Sequence, residues 1–326
     1  MAGCASQNAG TVPEGAAYAS RRDAGDHKRG TVTLYPDTNG GPLPMGITAG
    51  PDGAIWFTDT AQAIVGRITT RGKYTLQMQV SGVSDGITTG PDGNLWFTGA
   101  AVASGPAIGR ITPQGVVTYF PDTGGSSAEG ITNGPDGALW FAESNGTVGR
   151  MTTKGKVTHF TVAPNYAFLQ GIVAGPDGNL WVTWYISGSH FANQVIRLAP
   201  SGATSSFTVG SGPDFICVGP DHALWFAEAD ANAIGRLTTA GSYKQFSTNY
   251  EYAQPSGIAR GPDGAVWFTD FSGRAGIGRM TSSGKVQYYK VPGSFPELVE
   301  IAAGPDGNMW FTSDLGPSAV GRVTVH

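Results

Sequence analysis

A ten-residue phrase recurs seven times along the chain and constrains the fold more than any other feature of the sequence. The copy GPDGALWFAE begins at Gly134, and each copy is followed by a second phrase close to Ile-Gly-Arg-Ile-Thr. The tryptophans of the seven copies, spaced 40 to 44 residues apart, are Trp56, Trp96, Trp140, Trp181, Trp225, Trp267 and Trp310. Seven copies in phase predict a chain built from seven equivalent structural units.

Each unit is interpreted as four short β-strands. Pro-Asp-Gly suits a tight hairpin turn, because proline presets φ and glycine accepts positive φ. The Leu-Trp-Phe strand is apolar at consecutive positions, which indicates a strand covered on both faces. Glycine is abundant at 50 residues and charged residues are scarce at 13%, a profile typical of all-β proteins. Four-stranded units of this length predict a seven-bladed β-propeller, in which the identical tryptophans and Gly-Arg arginines have structural roles.

The two ends of the repeat array are complementary. The last unit stops after its third strand, at Gly321–Val325, and an unattached fourth strand precedes the first full unit, at residues 30–36. We therefore expect the N-terminal strand to complete the last blade and to close the ring, which removes exposed strand edges. The predicted organisation is a flexible tail at residues 1–29 followed by a propeller at residues 30–326.

The predicted tail contains Cys4, preceded by Ala2 and Gly3. This tripeptide resembles the end of a bacterial lipoprotein signal, Leu-Ala-Gly-Cys, with Met1 in place of the leucine. The resemblance implies lipidation of Cys4 and an extracytoplasmic protein, periplasmic or at the cell surface; the alternative is an accidental tripeptide in a solvated tail.

The charge and the apolar runs of the sequence limit the classes of partner that we expect. The net charge is −4 and the basic residues form no run, so the sequence does not indicate a nucleic-acid partner. No apolar run approaches the roughly 20 residues of a transmembrane helix. We expect a monomer whose partner is a small-molecule or peptide-like ligand.

Two positions in each unit vary between copies. The first slot begins the first strand, and the second slot ends the second strand fourteen residues later. Neighbouring antiparallel strands place both slots at one edge, so we expect both at the mouth of the central channel. The first slots are Met45, Asp85, Glu129, Gln170, Asp214, Ser256 and Val299. The second slots are Asp59, Gly99, Glu143, Trp184, Glu228, Asp270 and Ser313.

The phrases GPDGxxWFT and IGRIT, repeated over residues 30–326, resemble those of the virginiamycin B lyase (streptogramin B lyase) family. The resemblance implies a magnesium-assisted elimination that linearises a cyclic depsipeptide antibiotic, with a first-slot histidine as base and a second-slot acid. None of the five histidines occupies a first slot; they are His27, His159, His190, His222 and His326. The family's catalytic histidine therefore cannot be assigned in this chain.

The mouth is predicted to be acidic and aromatic instead. Because Mg²⁺ and Ca²⁺ prefer oxygen ligands, we predict a cation site at Glu129 with Glu143 or at Asp214 with Glu228. Further predicted ligand-binding residues are Asp59, Asp85, Asp270, Glu300, Tyr166 and Trp184. The alternative is a solvated acidic rim and aromatic rings that only pack the loops.

Two functional hypotheses follow from this mouth. The first is a binding or scaffold propeller. The second is a metal-assisted carbon–oxygen lyase, or another enzyme acting on esters or lactones, with carboxylates replacing histidine. Under both hypotheses, Trp184→Ala is expected to leave folding intact and to weaken ligand binding.

Overall fold

The structure is a computed structural model in which seven antiparallel four-stranded sheets form a closed ring. It describes residues 31–36, 43–103, 105–123, 125–185, 193–272, 274, 276–292, 297–313 and 319–325. Within these residues the only helical segment is a 3₁₀ turn at Ala229–Ala231. The predicted all-β, seven-bladed propeller is confirmed. Cys4 and the predicted tail lie outside the described residues, as does His190.

Each blade runs from an innermost to an outermost strand in chain order, apart from the last. The first strand of the chain is β1 (Val32–Pro36). Blade 1 contains β2 (Pro44–Ala49), β3 (Ile55–Asp59), β4 (Ile64–Ile68) and β5 (Tyr74–Gln79). Blade 2 contains β6 (Ile87–Thr89), β7 (Leu95–Val102), β8 (Gly105–Ile111) and β9 (Val117–Pro121). Blade 3 contains β10 (Ala128–Asn133), β11 (Leu139–Glu143), β12 (Thr147–Met151) and β13 (Val157–Thr161).

The second half of the ring repeats this order. Blade 4 contains β14 (Phe168–Ala174), β15 (Leu180–Tyr185), β16 (Gln194–Leu198) and β17 (Thr204–Thr208). Blade 5 contains β18 (Pro213–Val218), β19 (Leu224–Glu228), β20 (Ala233–Leu237) and β21 (Tyr243–Ser247). Blade 6 contains β22 (Pro255–Arg260), β23 (Val266–Asp270), β24 (Ile277–Met280) and β25 (Val286–Tyr289). Blade 7 contains β26 (Leu298–Ala303), β27 (Met309–Ser313) and β28 (Ala319–Val323), and β1 completes it.

The two chain ends close the ring as predicted. Strand β1 pairs antiparallel with β28, with Val32 opposite Val323 and Tyr35 opposite Val320. The Thr324 N–H donates to the Thr31 carbonyl and extends this pairing. The last blade is thereby assembled from both ends of the chain, with β1 as its outermost strand.

The repeated phrase builds the same polar contact within each blade. In blade 3, Asp136 Oδ1 accepts the Trp140 Nε1–H at 2.9 Å, and Asp136 Oδ2 accepts the Arg150 Nε–H at 2.6 Å. The Trp140 ring is fully buried and stacks on Phe160 of the outer strand, 5.3 Å between centroids. The same tryptophan-to-aspartate bond recurs in all seven blades. The repeated aspartate thus satisfies a buried indole N–H, which would otherwise cost stability.

A β-bulge in the inner strands directs the first slots. In β10, Ala128 pairs with Glu143 and Ile131 pairs with Phe141, so Glu129 and Gly130 stand opposite one partner residue. The same register shift occurs in β2, β14, β18, β22 and β26. A bulge bends the strand and re-aims its side chains.

The described part of the chain contains no helix with the length and hydrophobicity that a membrane-spanning helix needs.

Candidate functional site

A cavity of about 340 Å³ opens at the centre of the ring. Its wall includes the first slots of six blades, namely Met45, Asp85, Gln170, Asp214, Ser256 and Val299. Phe215 and Phe271 add aromatic surface to the same wall. The predicted convergence of the first slots is therefore observed, and the inner-strand bulges account for it.

Asp214 and Asp85 are the acidic first slots of this cavity. Asp214 Oδ2 accepts a hydrogen bond from the Ser256 hydroxyl at 3.2 Å, whereas Asp214 Oδ1 has no hydrogen-bond partner among the described residues. Burial, with a smaller contribution from the negative charge of Asp85, raises the pKa of Asp214 to about 7. Burial and the charge of Glu129 raise the pKa of Asp85 to about 6. Both carboxyls therefore bind protons more readily than ordinary aspartates.

Glu300 is a third acid whose charge acts on this cluster. It lies where blades 1, 2, 3, 4 and 6 have a glycine, and its Oε2 accepts the Ile47 N–H at 2.6 Å. Burial raises the pKa of Glu300 well above its usual value, and the negative charges of Asp85 and Asp214 raise it further. The hydrogen bond from the Ile47 N–H acts in the opposite direction and lowers it. Burial and mutual repulsion therefore disfavour ionisation of all three acidic side chains at the ring centre.

The second-slot acids of the two predicted cation pairs point away from the cavity. Glu228 is fully buried, and it accepts hydrogen bonds from Tyr243 at 2.6 Å and from Gln245 at 2.7 Å. Both donors lie on β21, the outermost strand of blade 5. The side chain reaches them over Gly235, where a Cβ would approach Glu228 Oε1 to 2.8 Å. The glycine of the third strand opens this outward path, and the structure does not bring Glu228 into the cavity wall beside Asp214.

Glu129 and Glu143 are not in the cavity wall either. Glu143 is fully buried and accepts hydrogen bonds from the Thr147 hydroxyl and from the Ser126 N–H. Its Oε1 also lies 3.6 Å from His159 Nε2 on the outermost strand of blade 3. Glu129 remains on the inner strand, where burial raises its pKa.

Asp59 and Asp270 are buried and anchor loops. Asp270 accepts hydrogen bonds from the Gln254 N–H at 2.8 Å and from the Ser272 hydroxyl. Asp59 accepts the Gln62 N–H at 3.1 Å. Their carboxylates therefore hold neighbouring loop residues, whereas the first-slot side chains form the wall of the cavity.

The two predicted aromatic residues have different environments. Trp184 is only 9% exposed and belongs to a buried cluster that also contains Ala163 and Leu169. The ring packs in the layer of side chains between blades, and a ligand role for Trp184 stays a prediction. Tyr166 is 62% exposed in the loop before β14. The ligand role of Tyr166 stays a prediction.

Sequence reasoning missed Asp230 as a residue of the cavity wall. Asp230 lies in the 3₁₀ turn that follows β19, two residues beyond the second slot of blade 5. No repeat phrase marks that turn. The sequence does distinguish Phe215, because it replaces the glycine that follows the first slot in most other blades.

Comparisons with known proteins agree with this architecture. The sequence model of the virginiamycin B lyase family matches residues 21–189 and 162–326. A curated virginiamycin B lyase from Nocardia farcinica (strain IFM 10152) is 29% identical over 234 residues, which are 72% of this chain and only 64% of that relative's length.

Solved structures of similar proteins cover nearly the whole propeller. A streptogramin B lyase structure has a TM-score of 0.80 at 26% identity, covering 91% of this chain and 98% of that chain. A catalytically inactive histidine-to-alanine variant of virginiamycin B lyase from Staphylococcus aureus, solved with quinupristin, has a TM-score of 0.79 at 31% identity. That comparison covers 91% of this chain and all of the other.

Proposed function

The chain belongs to the virginiamycin B lyase family, and we propose that its central cavity binds a divalent cation or a small cationic, peptide-like ligand. The observation that supports this most is the Asp214 carboxylate, whose Oδ1 lacks a hydrogen-bond partner in the described structure. A buried carboxylate oxygen without a donor is costly, and a cation in the cavity would remove that cost.

The donor set fits the magnesium ion that the family implies. Asp85 and Asp214 would hold Mg²⁺ or Ca²⁺ by carboxylate oxygens, the ligands these ions prefer. A bound magnesium ion supplies polarisation of a carbonyl oxygen. Phe215 and Phe271 offer apolar and cation–π contacts to an organic ligand in the same wall.

Binding is favoured over catalysis by the identity of the first slots. No first slot of this chain is a histidine, so the proton-abstracting group that the family resemblance implies has no counterpart there. Ser256 and Val299 occupy the last two first slots, and neither is a general base.

A second candidate function is a carbon–oxygen lyase, which the carboxyl of Asp214 supports. A pKa of about 7 suits a general base near neutral pH. In such an elimination, Asp214 would take the α-proton of the residue that bears the ester. The bond between its β-carbon and the ester oxygen would break, leaving an alkene and a free carboxylate.

Calorimetric and thermal titrations with MgCl₂ and CaCl₂ test the binding proposal. The native chain is expected to show a saturable rise in Tm, and D214N and D85N are expected to weaken it at least tenfold. E251Q is the matched control, because it removes one charge from an exposed side chain. No shift at millimolar metal, or an equal loss in E251Q, would contradict the proposal.

Product analysis tests the lyase candidate. The protein is incubated with a streptogramin B-type cyclic depsipeptide and Mg²⁺, and products are separated by chromatography before mass measurement. Elimination gives a linear isomer of unchanged mass, whereas hydrolysis adds one water. Linear product from the native chain but not from D214N would favour the lyase; intact substrate would exclude it.

We also propose an extracytoplasmic, lipid-anchored protein, supported by the Ala-Gly-Cys sequence at Cys4. Labelling of the full-length gene product with a fatty-acid analogue in a bacterial host tests this. Label that is absent from the native protein, or retained in C4S, would contradict it.

A further inference from the structure

A histidine and two carboxylates meet in the interface between blades 2 and 3. Asp122 follows β9 at the outer edge of blade 2, whereas Glu143 ends β11 and His159 lies in β13 of blade 3. His159 Nε2 is 2.8 Å from Asp122 Oδ1 and 3.6 Å from Glu143 Oε1. One ligand atom from each residue lies within 4.8 Å of the other two. The three side chains thus converge outside the wall of the central cavity.

Asp122 replaces an apolar residue of the repeat. The equivalent position after the outer strand is Val80 in blade 1, Val162 in blade 3 and Val209 in blade 4. In each case the N–H at this position donates to a carbonyl at the start of the third strand, as the Asp122 N–H does to Pro106. The backbone is therefore conserved between blades, and only blade 2 places a carboxylate there among these four.

Blade 5 shows how the repeat satisfies a second-slot glutamate without a charged partner. Glu228 accepts hydrogen bonds from three neutral donors, namely the Gly210 N–H, the Tyr243 hydroxyl and the Gln245 amide. Gln245 pairs with the glycine of the third strand, and His159 occupies the same register position in blade 3. Blade 3 therefore substitutes an imidazole for an amide at the point where Asp122 adds a second carboxylate.

This second carboxylate is not fully satisfied. Asp122 Oδ2 has no hydrogen-bond partner among the described residues, and the side chain is 1% exposed. No lysine or arginine in the described part of the chain pairs with Asp122 or Glu143 within 4.0 Å. The cluster therefore contains a buried carboxylate oxygen that no donor among the described residues satisfies.

We propose that Asp122, Glu143 and His159 bind a transition-metal dication that joins blade 2 to blade 3. The chemistry of these ligands favours Zn²⁺. One imidazole nitrogen and two carboxylate oxygens are typical zinc ligands, whereas Mg²⁺ and Ca²⁺ prefer oxygen alone. Tetrahedral bonds of about 2.0–2.2 Å place ligand atoms roughly 3.3–3.6 Å apart. The observed 2.8 and 3.6 Å separations need only a small adjustment to match.

The surroundings provide access to this position. Asp122 lines a cavity of about 300 Å³ between the two blades, together with Ser126 and Ala128. Three protein ligands leave a fourth tetrahedral position, which a water from this cavity would fill. An entry path and a complete ligand set are both required of a metal site.

Metal analysis of the full chain tests the proposal, with variants that copy other blades. D122V restores the valine of blades 1, 3 and 4, and H159Q restores the glutamine of blade 5, so both are expected to fold. After incubation with ZnCl₂ and gel filtration, the native chain is expected to retain one zinc per molecule. Both variants should bind zinc at least tenfold more weakly by calorimetry and should lose the zinc-dependent rise in Tm.

His222 provides the control for adventitious binding. It lies in the Gly-Pro-Asp turn of blade 5 with a φ of 58°, which asparagine tolerates, and H222N should leave zinc binding unchanged. Co²⁺ substitution adds a spectroscopic readout, because a tetrahedral site gives strong visible absorption that D122V should abolish. Equal zinc content in the native chain and D122V, or loss of zinc in H222N, would overturn the proposal. Absence of zinc from the native chain would overturn it as well, and would leave the cluster a proton-sharing network.

Discussion

The Ile47 N–H donates to Glu300 Oε2 at 2.6 Å and joins the innermost strand of the last blade to that of the first. At the outer edge, β1 pairs with β28. The Thr312 hydroxyl also donates to the Met45 carbonyl at 2.7 Å, so side-chain hydrogen bonds hold the last and first blades together near the ring centre. The charged form of the Glu300 carboxyl is unfavourable, because the side chain is buried and because Asp85 and Asp214 repel it.

Substitutions at Glu300 separate its hydrogen bond from its charge. E300Q keeps an oxygen acceptor for Ile47 and removes the repulsion, so its free energy of unfolding at neutral pH should equal or exceed that of the native chain. E300A leaves the Ile47 N–H without a partner and should lose about 1–3 kcal/mol. Urea denaturation measures both variants. An E300A protein as stable as the native chain would contradict the assigned role.

Stability should decrease as pH rises from about 4 to about 7 in metal-free buffer. The pKa values of Asp214 and Asp85 are raised from 3.8 to about 7 and about 6 by burial. Between the unfolded and folded pKa values the folded chain binds more protons, so raising the pH favours unfolding. Tm measured in EDTA-containing buffers checks this, and D214N should show a shallower decline. A Tm that rises across this window, or an unchanged slope in D214N, would count against the assignment.

Trp184→Ala should destabilise the fold. The ring is buried in the cluster that contains Leu169, and removing a buried tryptophan side chain costs about 3–5 kcal/mol. W184F should lose less, because it leaves a smaller cavity. Guanidinium denaturation of both variants provides the measurement. A folded W184A of native stability would restore the interpretation of Trp184 as a residue exposed for ligand binding.

The repeated aspartate should stabilise its blade by accepting hydrogen bonds from two donors, which in blade 3 are the Trp140 indole and the Arg150 guanidinium. D136A leaves the Trp140 indole N–H buried without an acceptor and removes the partner of Arg150. We expect a loss of about 1–3 kcal/mol. D136N should lose less, because the asparagine oxygen still accepts from Trp140. Equal stability of D136A and the native chain by urea denaturation would show that the contact is dispensable.

The blade count, the four-strand order and the ring closure could all be predicted from the repeated phrases. Turn residues, apolar runs and complementary ends are local properties, so each can be recognised in the stretch of sequence that forms the corresponding element. The convergence of the first slots could be predicted for the same reason, since each slot begins an inner strand. Asp85 and Asp214 were identified on that basis and do lie in the cavity wall.

The directions of the second-slot side chains depend on contacts between strands. Glu143 and Glu228 end their strands at the predicted edge, yet each reaches the outermost strand of its blade. In blade 5, Gly235 on the intervening strand leaves room for the Glu228 carboxylate. Trp184 turns into the layer between blades because neighbouring apolar side chains cover it. Asp122 meets His159 across 37 residues of sequence. Only the packing of one blade against the next creates that contact, since the two residues belong to different repeats.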